Sequence, residues 1–258
     1  MPGWFALNTY LRYRRTALNK HGVHSPFVFQ LLTKVFTPQP GETFSIHPAE
    51  KWRAACLADH RTIQVTDFGT GNSGPRKISD IASRAAKPPA EGQLLHRIVR
   101  HFQPLKMLEL GTSLGITTLY EATATPFEKF ITLEGCAETA ALAQNTLEHY
   151  QLPAEVRTGE FSQTLPGALQ TLGKVDYVYF DGNHRKQPTL DYFNACLPFA
   201  HNDTIFVFDD IHWSQEMEEA WNEIHQHPRV TLSLDLFHFG IVFFRSEQQE
   251  KEHFVLKF

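Results

Sequence analysis

From Leu105 onward, short apolar runs take turns with amphipathic stretches. Met107–Leu110, Phe130–Leu133, Glu155–Arg157, Val175–Phe180 and Thr204–Phe208 read as strands. Between and after them, Ile116–Ala124, Glu138–Tyr150, Leu165–Leu172, Thr189–Leu197 and Glu216–His225 read as helices. This regular strand–helix alternation predicts an α/β fold with a mostly parallel sheet. The pattern then changes. Val230–Leu236 and Ile241–Phe244 are separated only by Phe237–Gly240, too little chain for a helical crossover, so these strands should pair as an antiparallel hairpin. Phe254–Phe258 can add an edge strand or a docking tail.

The first part of the chain lacks this alternation. Residues 1–60 read as a helical accessory segment, 61–104 as a loop and helix leading into the core, and 105–258 as the core itself. Ser25-Pro26 is a helix start, with Ser as N-cap and Pro in the first turn, and Phe27, Phe29, Leu31 and Leu32 are its expected core residues. His21 and His24 are too few to argue a metal. Thr62–Thr66 is strand-like, and Asp67–Gly74 resembles a glycine-rich nucleotide loop. That unit then fails, because Lys87-Pro88-Pro89 leads into another helix and not into a second strand with a terminal acid. The loop therefore reads as an exposed connection, or as a lid whose Arg76 and Lys77 meet an anionic group. Leu94, Leu95, Ile98, Val99 and Phe102 place a helix over Glu91–Phe102.

Composition narrows the class. A net charge of −4 over 258 residues gives no general attraction to nucleic acid, although Leu11–Arg15 and Lys20 form a local basic cluster. Cys56, Cys136 and Cys196 are widely spaced, which argues against a disulfide framework or zinc site and for a reducing cytoplasm. The N-terminal stretch has no apolar run long enough for a signal peptide or membrane span.

The chemistry concentrates between Leu105 and Gly135, where strand, glycine turn, helix, strand and terminal acid follow one another. The glycines are Gly111 and Gly115, without the middle glycine that a pyrophosphate site uses, and Glu109 precedes them. A carboxylate there would repel a pyrophosphate but suits a cationic ligand such as S-adenosylmethionine. Glu134, ending the next strand, is placed to accept both ribose hydroxyls, and Thr117 opens the helix where a carboxylate could bind.

With Glu109-Leu110-Gly111-Thr112-Ser113-Leu114-Gly115-Ile116-Thr117 in view, the sequence resembles the class I S-adenosylmethionine-dependent methyltransferases, and within them the catechol-type, cation-dependent O-methyltransferases. The resemblance covers roughly residues 90–245. It implies a Rossmann-like, seven-stranded sheet with an antiparallel last strand, and S-adenosyl-L-methionine as cofactor. It places Gly159, Phe161 and Ser162 beside the adenine. It also implies a divalent cation, Mg²⁺, held by Asp181, Asp209 and Asp210, the last standing where the family has Asn. His184 falls where the family's lysine base stands, with Lys186 and His212 in reserve, and Asp181 can serve cofactor, metal or catalysis. The acceptor would be a small hydroxylated, planar molecule walled by the N-terminal helices, Ile211, His212, Trp213 and Phe237–Gly240, and many relatives form homodimers. Three other readings stay open: a metal-independent enzyme acting on another small molecule, a methyltransferase acting on RNA or protein, and a non-catalytic interaction protein.

Overall fold

The computed structural model describes residues 3–38, 40, 43–69 and 71–257. Thr70 of the glycine-rich loop and Phe258 of the last predicted segment lie outside the described residues. The chain opens with three helices, α1 (Gly3–Thr16), α2 (Pro26–Lys34) and α3 (Thr43–Ala58). A hairpin of β1 (Thr62–Val65) and β2 (Gly74–Lys77) comes next, then α4 (Ile78–Arg84) and α5 (Pro89–Phe102). The alternating part follows as β3 (Lys106–Leu110), α6 (Ile116–Ala122), β4 (Lys129–Glu134), α7 (Ala137–His149), β5 (Glu155–Thr158) and α8 (Phe161–Leu172). It continues as β6 (Val175–Phe180), α9 (Lys186–Cys196), β7 (Ala200–Asp209), α10 (Gln215–Gln226), β8 (Leu232–Asp235), β9 (Phe239–Phe243) and β10 (Glu252–Val255). Among the described residues no helix is long and apolar enough to cross a membrane. The fold is α/β, as the alternation predicts.

These elements fall into two compact units, one of residues 33–172 and the other of residues 1–32 with 173–258. In the first unit β3, β4 and β5 run parallel, with Leu110 opposite Leu133 and Glu134 opposite Thr158. The apolar residues of β3 and β4 are buried on both faces, since helices cover a parallel sheet on each side. The β1–β2 hairpin is separate and antiparallel, pairing Thr62 with Lys77 and Val65 with Gly74. Its second strand, Gly-Pro-Arg-Lys, carries no apolar alternation, so nothing in its own sequence announces it. Helix α5 keeps a glycine in its interior for packing. A Cβ on Gly92 would stand 2.3 Å from the ring of fully buried Tyr120 in α6.

In the second unit the strand order is β10-β8-β9-β7-β6. β6 and β7 are parallel, whereas β9 is antiparallel to both β7 and β8. The seventh of the strands from β3 onward is thus the antiparallel one, as expected, and the terminal hairpin forms. β10 adds an outer strand parallel to β8. Phe180 stacks on Phe208 at 4.3 Å between ring centroids, and Phe193 and Phe206 close the same apolar cluster. One expectation fails in α2, where Val28, Leu31 and Leu32 are buried but Phe29 is 45% exposed. With the helix starting at Pro26, position 29 turns to solvent.

Candidate active site

In the first unit the turn after β3 is shaped by three residues of positive φ, Gly111 at 107°, Ser113 at 48° and Gly115 at 75°. Gly115 is also where the turn runs close to α7, since a Cβ there would lie 3.1 Å from the Ala143 methyl. The amides of Gly111 and Thr112 donate to the Leu133 carbonyl, tying the turn to the end of β4. There Glu134 is gripped by backbone. Its Oε2 accepts from the Ser113 amide at 2.7 Å and its Oε1 from the Cys136 amide at 2.8 Å. Burial nevertheless raises its pKa above the ordinary value, with the Cys136 and Ser113 amides opposing. The Thr139 hydroxyl and the Gly135 amide act on the carboxyl in the same sense as those two amides.

Glu109 lies one residue before the end of β3. It is fully buried in β3, and its Oε2 accepts from the hydroxyls of Thr118 and Thr132, each at 2.6 Å. It therefore braces α6 and β4 against β3. Thr117 is buried in the first turn of α6. Gly159, at φ 140°, donates its amide to the Glu134 carbonyl, which brings the loop after β5 alongside. Phe161 and Ser162 belong to the first turn of α8, partly buried and exposed respectively. Sequence reasoning missed Trp52 of α3, whose indole N–H donates to the Leu114 carbonyl inside the glycine turn at 2.7 Å. An isolated Trp in a helix outside the alternating region carries no signal of that contact.

In the second unit, β6 and β7 are in register at Phe180 and Phe208, so the next residues, Asp181 and Asp209, end the two strands side by side. Asn183, at φ 56°, turns the chain back and brings His184 to them. His184 Nε2 stands 3.5 Å from Asp181 Oδ1, and the donor atoms of Asp181, His184 and Asp209 all lie within 4.8 Å of one another. Among the described residues this is the group with metal-ligand geometry, and Asp210 is no member of it. Asp210 has φ 50°, so the backbone reverses there. The reserve bases are engaged elsewhere. The Lys186 ammonium pairs with Glu223 and Glu219 at 2.7 and 3.2 Å, which raises its pKa. His212 Nε2 bonds Asp235 at 2.8 Å, and its ring stacks on Phe237. Phe237 in turn meets Tyr10 and Tyr13 of α1, while Ile211 is buried and Trp213 is 46% exposed.

Residues 108–211 match a family described as a methyltransferase domain. Over 127 residues the chain is 32% identical to a catechol O-methyltransferase of Niastella koreensis, covering 48% of this chain and 57% of that protein. It thus spans little more than half of that relative's length. The alternating part of the chain thus resembles a methyltransferase domain. A second relative, a probable O-methyltransferase of Mycobacterium tuberculosis, is 26% identical over 176 residues, covering 60% of this chain and 75% of the other. The fold agrees with that of an O-methyltransferase from Bacillus cereus solved in complex with SAH. The TM-score is 0.54 at 20% identity, over 84% of this chain and 96% of that one.

The chain offers donors that suit both groups the resemblance implies. A carboxylate held at the end of β4, beside the glycine turn, fits a vicinal diol as acceptor. Two carboxylates and an imidazole within 4.8 Å fit a divalent ion, and the nitrogen favours a first-row ion such as Mn²⁺ over Mg²⁺.

Proposed function

We propose that this protein transfers the methyl group of S-adenosylmethionine to a hydroxyl oxygen of a small planar acceptor, assisted by a divalent cation at Asp181, His184 and Asp209. The convergence of those three side chains is the observation that carries the reading. Asp209 is 1% exposed beside a second carboxylate, an arrangement that a cation relieves. The cofactor would supply an electrophilic methyl carbon, and the cation would supply Lewis acidity that lowers the pKa of an acceptor hydroxyl.

The chain's own residues orient and balance charge. Glu134 accepts the ribose hydroxyls, and the glycine turn lets the backbone approach the cofactor. Asp181 and Asp209 provide the negative charge that a cation needs, and Tyr179 steadies Asp181 with a hydroxyl bond of 3.3 Å. In this assignment His184 is a ligand, and Lys186, committed to α10, takes no proton. The net charge of −4 makes nucleic acid a poor partner. Three free, buried cysteines suit a reducing cytoplasm.

The test is SAH production from S-adenosylmethionine with a panel of vicinal aromatic diols. Activity should vanish with a chelator and return with Mn²⁺. Asp209→Asn should weaken Mn²⁺ binding, read by calorimetry, by at least about tenfold. Full turnover in the chelator would remove the cation from the mechanism.

A further inference from the structure

The β1–β2 hairpin lies outside the matched methyltransferase domain, yet it docks beside Glu134. The Gln64 amide donates to Glu138 Oε2 at 2.9 Å in the first turn of α7, and the Cys136 thiol donates to the Gln64 carbonyl at 3.4 Å. The loop beyond β1 is folded on itself. Ser73 Oγ bonds the Asp67 amide, the Gly71 amide donates to the Asp67 carbonyl, and Asp67 Oδ1 accepts from the Gly69 amide. Arg76 Nη2 reaches Asp67 Oδ2 at 3.3 Å, so that arginine closes the loop from within.

Phe68 stands on this loop, and its ring occupies the space of a missing side chain. A Cβ built on Gly135 would lie 2.7 Å from Phe68 Cδ2 and 3.2 Å from Cε2. Gly135 is absent from the residues of positive φ, so its backbone would accept any amino acid, and what excludes one is the ring. Half of Phe68 (50%) remains exposed. Half of an aromatic side chain is therefore presented to solvent, directly against the residue that follows the ribose-binding candidate Glu134.

We propose that Phe68 is the aromatic wall for the purine of the nucleoside held at Glu134. The inference rests on the cofactor reading above and extends it to a segment outside the methyltransferase domain. A base bonded to a ribose whose diol sits on Glu134 must lie within a few ångströms of that carboxylate. Gly135 offers it no side chain, and Phe68 fills that place with a flat apolar surface. Stacking a base on an aromatic ring contributes about 1–3 kcal/mol by alanine substitution, which corresponds to a change in affinity of about 5- to 150-fold.

Calorimetry of SAH and of adenosine with the full chain tests this. Phe68→Ala should weaken both ligands by a similar factor of about fivefold or more, and Phe68→Trp should keep the affinity. Phe68→Leu, which keeps an apolar plug over Gly135 without a ring, should weaken both as well. Wild-type affinity in Phe68→Leu would mean that the side chain only supports the turn, and would overturn the proposal. So would unchanged SAH binding by Phe68→Ala. Wild-type protein that binds no SAH would bring down the cofactor reading and this one with it, an outcome distinct from selective failure of the variants. Should Phe68→Ala not fold, the comparison of Leu with Trp decides alone.

Discussion

Glu134 carries two linked demands of opposite sign. Its burial disfavours the ion and raises its pKa, while the Cys136 and Ser113 amides, and any ribose hydroxyls, favour the ion. A carboxyl whose folded pKa exceeds its ordinary 4.5 contributes stability below that ordinary value and loses it as pH rises through the folded value. Ligand binding runs the other way, since a diol donates best to the ionised form. SAH affinity should therefore fall as pH is lowered from neutrality towards the ordinary carboxyl value of 4.5. Glu134→Gln should bind at least about tenfold more weakly, as expected for losing hydrogen bonds to a charged group, and should respond less to pH. Calorimetry across that range checks it, and a wild-type affinity indifferent to pH would refute the role. Glu109 is predicted to behave differently despite its similar place in the motif, because its Oε2 is already engaged by two threonine hydroxyls inside the sheet.

Helix α3 acts on the glycine turn at a distance in sequence through Trp52. Trp52→Phe keeps most of the packing and removes the bond to the Leu114 carbonyl, a loss of about 0.5–1.5 kcal/mol. The expected result is a few-fold weaker SAH binding together with faster amide exchange in residues 111–115. Unchanged exchange there would show that the turn holds itself. Elements of this kind divide sharply in how well the sequence announces them. β3, β4, β6 and β7 were legible because strands of a parallel sheet are apolar runs, and the acids at 134, 181 and 209 mark where they end. β2 was not legible, since Gly-Pro-Arg-Lys becomes a strand only by pairing with β1. The helix expected from Leu165 starts at Phe161 and carries Pro166 in its interior, a position that sequence rules treat as a start. The resemblance implied Asp181, Asp209 and Asp210 as ligands, whereas the geometry brings His184, not Asp210, beside the other two. That exchange depends on positive φ at Asn183 and Asp210, positions where a non-glycine residue gives no warning.

For the molecule as a whole, acid should be destabilising before any carboxylate of ordinary pKa is protonated. His225 and His253 stack at 4.2 Å between ring centroids, next to Trp221. Burial, with His253 and Lys251 nearby and Asp235 opposing, lowers the His225 pKa from 6.5 to about 4. The unfolded chain binds a proton there at pH values where the folded one does not, so stability is present above 6.5 and drains as pH falls towards about 4. Melting temperature should drop over that interval, and His225→Phe should flatten the drop. A slope unaltered by His225→Phe would place the acid sensitivity elsewhere. At the outer margin of the second unit, β10 covers β8, whose four residues are all buried, and Leu18 bonds the far side of β10 through the Val255 carbonyl and the Lys257 amide. The chain thereby spends one of its own residues on a row of backbone donors and acceptors that another polypeptide could otherwise extend. Proteolytic loss of β10 would unmask the β8 ladder, and the expected product is a protein that polymerises strand upon strand while its fold remains intact.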